Sequence, residues 1–354
     1  MTATGATRHP VLAWVFCSGL GAWALWSLVA TAAAPHGVSW ARASGLAAAA
    51  AIGIGVVLVR PPTRWVVVVV AAAAGAVVAW GYAEWVTVGL AHGTMNGPFS
   101  LENPFGAIAA TAAVLALVPV CDAGRPWPVR LVAAVAAAVA GQALVRSGSM
   151  GSLIAMGAGT AAVLVGAWRR GATSTRSPRA SSAWVAGCLV IGVAVAALGV
   201  GLVVSRLAAT TPDEEPTSGL GVDTENHAAE HVEIWADAAE VWFDHPWMGA
   251  GPARLPVIVA GLEDARSDVV NALAETGVPG ALAWAMAISC AAIAAVLVEA
   301  HPPGAAAVAL AAATIVLGVY SLVDTTAAWP FLAGLLWTCA GGAVAVVRAR
   351  PAHS

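Results

Sequence analysis

The residues able to do chemistry in this 354-residue chain are gathered in one stretch. Of its 19 Asp and Glu residues, 14 fall between Asp213 and Glu275, and among them stand His227, His231, Arg254 and Arg266. Residues 227–231 read His-Ala-Ala-Glu-His, which sets two imidazoles one helical turn apart with a carboxylate beside them. That is the spacing of two zinc ligands and a general base. Arg254 and Arg266 are planar, permanently charged forks of the kind that grip phosphate oxygens bidentately. A histidine, which titrates near neutrality, or a carboxylate such as Asp268 can accept a proton. The spacing itself makes one chemistry legible, metal-assisted hydrolysis. The zinc pattern is short and arises readily in an acidic helix, and no soluble domain is at hand to supply a third ligand. The sequence is read without a metal or other cofactor.

These residues need elements to position them. Asn226 can cap a helix over 227–244. Positions 230, 233, 237, 240 and 244 are all acidic and form one row, while 227, 231, 235, 238 and 242 read His, His, Trp, Ala, Trp on a different side. The spacing predicts an amphipathic helix with its acidic row toward solvent and its His/Trp row toward the membrane or the helix bundle. His245-Pro246 stops it, and Gly249 and Gly251 allow a tight turn before Pro252 and Arg254. A second helical stretch, 268–275, meets Gly277, Pro279 and Gly280. In this reading Glu275 and Gly277 orient the return of the chain, Trp235 and Trp242 pack or anchor at the interface, and His245 is structural.

Around this stretch the chain is apolar. It is 60% hydrophobic and 10% charged, with a mean hydropathy of +0.82, whereas a soluble domain carries about 25% charged residues. Apolar runs at about 11–30, 43–59, 65–81, 104–120, 129–145, 151–168, 183–204, 278–298, 305–323 and 329–347 are each close to the roughly 20 residues that cross a bilayer. The expected fold is an all-α, polytopic membrane bundle of about ten transmembrane helices. It divides into an N-terminal bundle (1–204), a long loop carrying the candidate site (205–277) and C-terminal helices (278–354). All 16 basic residues are arginine, and with a cytoplasmic N-terminus 11 fall on the inner side and five (Arg42, Arg146, Arg206, Arg254 and Arg266) on the outer. Both termini are thus expected in the cytoplasm and loop 205–277 outside. The five cysteines lie in or beside apolar runs without a paired spacing, so no disulfide framework is expected.

The long loop resembles a known family. "HVEIWADAAEVWFDHPWMGAGPARL", followed by "ARSDVVNALAETGVPGAL", is similar to the signature loop of the O-antigen ligase and O-antigen polymerase family. That family's pattern runs Arg-x-x-x-Trp, Asp-His-Pro-x-x-Gly-x-Gly, His-Asn-x-x-Leu and Ala-Glu-x-Gly-x-x-Gly. Here it is met by His231 to Trp235, by Asp244-His245-Pro246 with Gly249 and Gly251, by Arg266-Ser267, and by Ala274-Glu275 with Gly277 and Gly280. "NGPFSLENPFGAIAA" from Asn96 resembles the family's Gly-x-Phe-x-x-Pro-Asn segment, with Gly97, Phe99 and Asn103 matching. "RSGSMGSLIA" from Arg146 resembles its Ser-Arg-Gly helix start, with Ser149 and Gly151 retained.

The resemblance implies a bacterial cytoplasmic-membrane glycosyltransferase. Such an enzyme moves a glycan from a polyprenyl-diphosphate donor to a hydroxyl on a glycan or glycolipid acceptor, inverting the anomeric centre without a metal. The partners it implies are the lipid-linked glycan, membrane lipid and the acceptor, and no nucleic acid. Arg254, Arg266 and Arg206 are the candidates to bind the diphosphate, His231, Arg266 and Asp268 to act in catalysis, and His227, Trp235, Glu275 and Asn103 to support them. Three family positions differ: the loop arginine aligns with His231, the histidine with Arg266, and the Ser-Arg-Gly arginine with Met150. Two other classes stand beside the transferase. One is a non-catalytic relative that binds lipid-linked glycan. The other is a polysaccharide transporter or flippase, which would favour ionisable groups deep within spans, whereas Glu84 and Asp324 sit at span ends.

Overall fold

The computed structural model describes residues 10–33, 40–87, 102–173, 224–259, 265–300, 304–326 and 328–349. Among them lie eleven helices and no strand: α1 (Pro10–Ala33), α2 (Trp40–Val59), α3 (Thr63–Thr87), α4 (Glu102–Cys121), α5 (Trp127–Ser147), α6 (Met150–Thr173), α7 (Thr224–Asp244), α8 (Leu255–Ile258), α9 (Asp268–Ala300), α10 (Ala305–Val323) and α11 (Pro330–Ala349). All but α7 and α8 are long and apolar enough to cross a membrane, nine helices among the described residues. They match nine of the ten expected runs; the other, 183–204, falls outside the described residues, as do Arg206 and residues 96–101. The protein is an all-α polytopic membrane bundle. Helices suit this setting because each satisfies its own backbone hydrogen bonds where lipid offers none. Trp14, Leu25, Leu58, Val69 and Trp80 remain exposed, as apolar side chains facing lipid can.

The chain forms two compact units. One comprises Met1–Val70, Val232–His301 and Ser321–Ser354. In it α1 packs on α2 and α9, and α11 packs on α1, α2 and α9. Backbones approach closely where glycines stand: a Cβ on Gly341 would lie 2.5 Å from the Gly53 carbonyl oxygen, and one on Gly53 2.9 Å from Trp337. Such small-residue contacts substitute for a hydrophobic driving force that lipid does not provide. Trp337 sits edge-on to Phe16, with ring centroids 6.2 Å apart, and 6.0 Å from Trp23. These rings make the centre of this core.

The other unit comprises Ala71–His231 and Pro302–Tyr320. Here α4 packs on α5 and α6, and its residues from Pro104 to Ala110 are wholly buried. Gly148, at φ 73°, ends α5, and the buried serines of the α5–α6 turn face α4: Ser149 and Ser152 join hydroxyls at 2.7 Å, and the Ser152 hydroxyl donates to the Asn103 carbonyl at 3.4 Å. The Arg146 guanidinium lies 4.2 Å from the centre of the Trp85 ring.

Candidate functional site

Helix α7 begins at Thr224, three residues before the expected start, so Asn226 lies inside it. The helix is amphipathic, with Glu233, Glu240 and Asp244 exposed as expected. Its buried row differs by one position from the expected His/Trp row. Ala238 and Val241 are buried, with Ile234 packed against them, in a cluster with Ala250, Leu255, Ala265 and Ala274. Small side chains allow this close approach, and the indole is too large for it. Trp235 stays at the edge, 39% exposed, and donates its indole N–H to the Ala265 carbonyl at 3.1 Å. The side chains of His227 and His231 lie outside the described residues.

Beyond α7 the two halves of the signature pattern lock into each other. The amide of Ala250 donates to the Ala274 carbonyl at 2.8 Å, Gly251 to the Glu275 carbonyl at 2.9 Å, and Val278 to the Pro246 carbonyl at 2.9 Å. Gly249 and Gly277 make this possible. Both have positive φ, and a Cβ on Gly249 would fall 2.3 Å from the Glu275 carbonyl carbon, one on Gly277 2.5 Å from Trp247. At Gly277 (φ 64°, ψ −172°) the backbone leaves helical geometry and α9 kinks. The expected stretch 268–275 and the expected span from 278 are thus the two arms of one kinked helix.

Four expected site residues sit around this lock. Glu275 is buried, and its Oε1 accepts the Ala253 amide at 2.9 Å and lies 3.1 Å from Nη1 of Arg42. Arg254 precedes the short helix α8; its Nη1 approaches the Ala250 carbonyl at 3.4 Å, and its buried Nε has no hydrogen-bond partner among the described residues. Arg266 is half-buried in a left-handed conformation, φ 44°. Only three described residues other than glycine have positive φ, and two of them, Ala253 and Arg266, are here. Such strain persists where surrounding structure enforces it, and it clusters at functional sites.

Asp268 is buried in the first turn of α9 and accepts the Thr326 hydroxyl. A carboxylate in that turn is favoured by the positive end of the helix, and its contact with Thr326 ties the start of α9 to the connection before α11. The Asn271 side-chain carbonyl meets the Ala265 amide at 3.4 Å, and the Trp26 indole donates to the Thr276 carbonyl at 2.8 Å. Together Trp23, Ser27, Pro252, Asp268, Asn271 and Glu275 line a narrow cleft. Asn103, by contrast, is part of the α4–α6 contact in the other unit.

Sequence reasoning placed Arg42 on the outer side but did not connect it to Glu275. The signal was present: between Arg8 and Arg60 it is the one arginine or carboxylate in an otherwise apolar stretch, and such a residue needs a partner. Thr326 carried no comparable signal.

No curated protein matches the chain. The O-antigen ligase family model matches residues 133–285, from within α5 through the lock and past the kink of α9. Across that stretch the chain is similar to the O-antigen ligase family.

Proposed function

We propose that the protein transfers a glycan from a polyprenyl-diphosphate donor to a hydroxyl acceptor during cell-envelope polysaccharide assembly, at the outer face of a bacterial cytoplasmic membrane. The observation that carries this reading is Arg254, a guanidinium beside the interlocked loop within the stretch that the O-antigen ligase family model matches, with a buried N–H that has no partner among the described residues. In this reaction the acceptor oxygen attacks the anomeric carbon, and the bond from that carbon to the diphosphate breaks. The diphosphate leaves with the electron pair, and the acceptor proton passes to a base. Arg254 and Arg266 hold the diphosphate as its charge grows, with Arg206 as a further cation. His231 takes the proton, and no metal takes part. With the protein in lipid nanodiscs and a labelled polyprenyl-diphosphate oligosaccharide as donor, transfer is expected to survive a chelator and to fall about a hundredfold or more when Arg254 and Arg266 both become glutamine. Unchanged transfer in that variant would sink the assignment. Loss to the chelator with recovery on adding zinc would favour the His-Ala-Ala-Glu-His chemistry. The departures at His231, Arg266 and Met150 support a second reading, a relative that binds the donor without transferring it. Saturable donor binding with no product from any acceptor would favour that one.

The orientation follows from the arginine asymmetry: both termini and residues 169–182 in the cytoplasm, residues 205–277 outside. Single cysteines at Thr217 and Thr173, in a chain lacking its five native cysteines, are expected to react with an impermeant thiol reagent in intact cells at Thr217 alone. The reverse pattern would invert the topology.

A further inference from the structure

One carboxylate oxygen ties the start of α2 to the loop that carries Arg254. Arg42 stands in the first turn of α2, and its Nη1 lies 3.1 Å from Glu275 Oε1, with the two side chains 11% and 3% exposed. That same oxygen accepts the amide of Ala253 at 2.9 Å. Ala253 has φ 63°, a conformation an alanine holds only when its neighbours enforce it. The enforcement comes from the chain around Glu275: its carboxylate takes the Ala253 amide, its carbonyl takes the Gly251 amide, and the preceding carbonyl takes the Ala250 amide. Arg254 is the next residue, so the direction in which its side chain leaves the backbone depends on the conformation of Ala253.

A buried ion pair is a weak source of stability compared with apolar side chains of the same size. What it supplies here is geometry. A lone glutamate can turn toward any donor or toward water, whereas one fixed by the rigid fork of an arginine keeps its oxygen in one place.

We propose that Arg42 and Glu275 are positioning residues for the diphosphate-binding Arg254: the pair fixes the carboxylate that holds Ala253 in its left-handed conformation, and thereby sets where Arg254 presents its guanidinium. This rests on the reading of Arg254 as a donor ligand given above. It extends the site to a helix more than 200 residues earlier in the chain.

The test uses the full chain in nanodiscs, with a polyprenyl-diphosphate oligosaccharide as donor. It compares Glu275→Gln, Glu275→Leu and the paired change Arg42→Met with Glu275→Leu. Glutamine keeps an oxygen for both partners, so the donor concentration at half-saturation is expected to stay within threefold. Leucine removes the bracket, so that value is expected to rise at least tenfold while the acceptor's is unchanged, and amide exchange over residues 250–254 is expected to speed up at least tenfold. The paired variant, which removes both members of the ion pair, is expected to recover the thermal stability lost in Glu275→Leu while its donor half-saturation stays raised. Recovery of donor half-saturation in the paired variant would show that the pair serves stability alone and overturn the proposal. Should the parent protein neither bind nor transfer this donor, the functional reading falls; the bracket is then judged by amide exchange, which is overturned if Glu275→Leu exchanges like the parent and upheld if it exchanges faster.

Discussion

A chain with alanine in place of Gly277 is expected to lose most of its folded population. Two separate penalties meet at this position. The backbone there, φ 64° and ψ −172°, lies outside helical geometry in a region open essentially to glycine, and a side chain held in such a region costs on the order of 1–3 kcal/mol. The added Cβ would also stand 2.5 Å from both the carbonyl carbon and the oxygen of Trp247. These are backbone atoms of the facing half of the signature pattern, so no side-chain rotation relieves the overlap. Forcing a methyl into a packed site costs about 1–3 kcal/mol more. The sum is a large part of the roughly 5–15 kcal/mol by which a domain is stable. Gly249→Ala is expected to behave similarly, because its Cβ would meet the Glu275 carbonyl carbon at 2.3 Å. Gly75→Ala is the control: nothing lies within 4 Å of its Cβ, and alanine is the better helix former. Thermal melting of detergent-purified variants, with the amount recovered from membranes, measures the effect. If Gly277→Ala melts like Gly75→Ala, the two halves of the pattern do not interlock as described.

This lock also marks how far the sequence could be read. The spans were legible because apolar runs of membrane length have one stable outcome in lipid. The return of the chain at Gly277 was legible because Gly-Val-Pro-Gly cannot continue a regular helix. The inward face of α7 was half legible. Helical periodicity separates an acidic side from an apolar one, but it does not say which small residue sits deepest, and the packing of Ala238 and Val241 against Ala265 and Ala274 decided that. The partners of Glu275 were not legible, because a salt bridge to Arg42 is a product of tertiary packing with no local spacing to announce it. For the same reason the sequence does not announce that the carboxylate of Asp268, one of the candidate bases, accepts the hydroxyl of Thr326, a residue in the connection before α11.

The exchange of residue types at His231 and Arg266 gives the other large expected effect. The family pattern carries arginine and then histidine at these two places, and this chain carries histidine and then arginine, so one cation and one titratable imidazole are kept with their order reversed. The Arg266 end is held firmly: its backbone is left-handed, and Ala265 before it accepts the Trp235 indole. His231 stands one helical turn ahead of Trp235 in α7. If each residue has taken the other's role, Arg266 stabilises the departing diphosphate and His231 accepts the proton. Alanine at Arg266 is then expected to lower transfer by about 10²–10³-fold, the usual cost of removing one donor from developing negative charge. Alanine at His231 is expected to lower it by about 10²–10⁴-fold, the usual contribution of a general base. The two losses have different signatures. Without the base, transfer is expected to lose its dependence on a group titrating near neutrality, whereas without Arg266 that dependence remains and the rate falls at every pH. The double change His231→Arg with Arg266→His restores the family order. It is expected to recover at least a tenth of the parent's transfer, far above either alanine variant, because one guanidinium and one imidazole are kept and stand in the order the family pattern carries. Full activity in both alanine variants, or a double exchange as inactive as the worse of the two, would show that the reversal does not preserve a working pair.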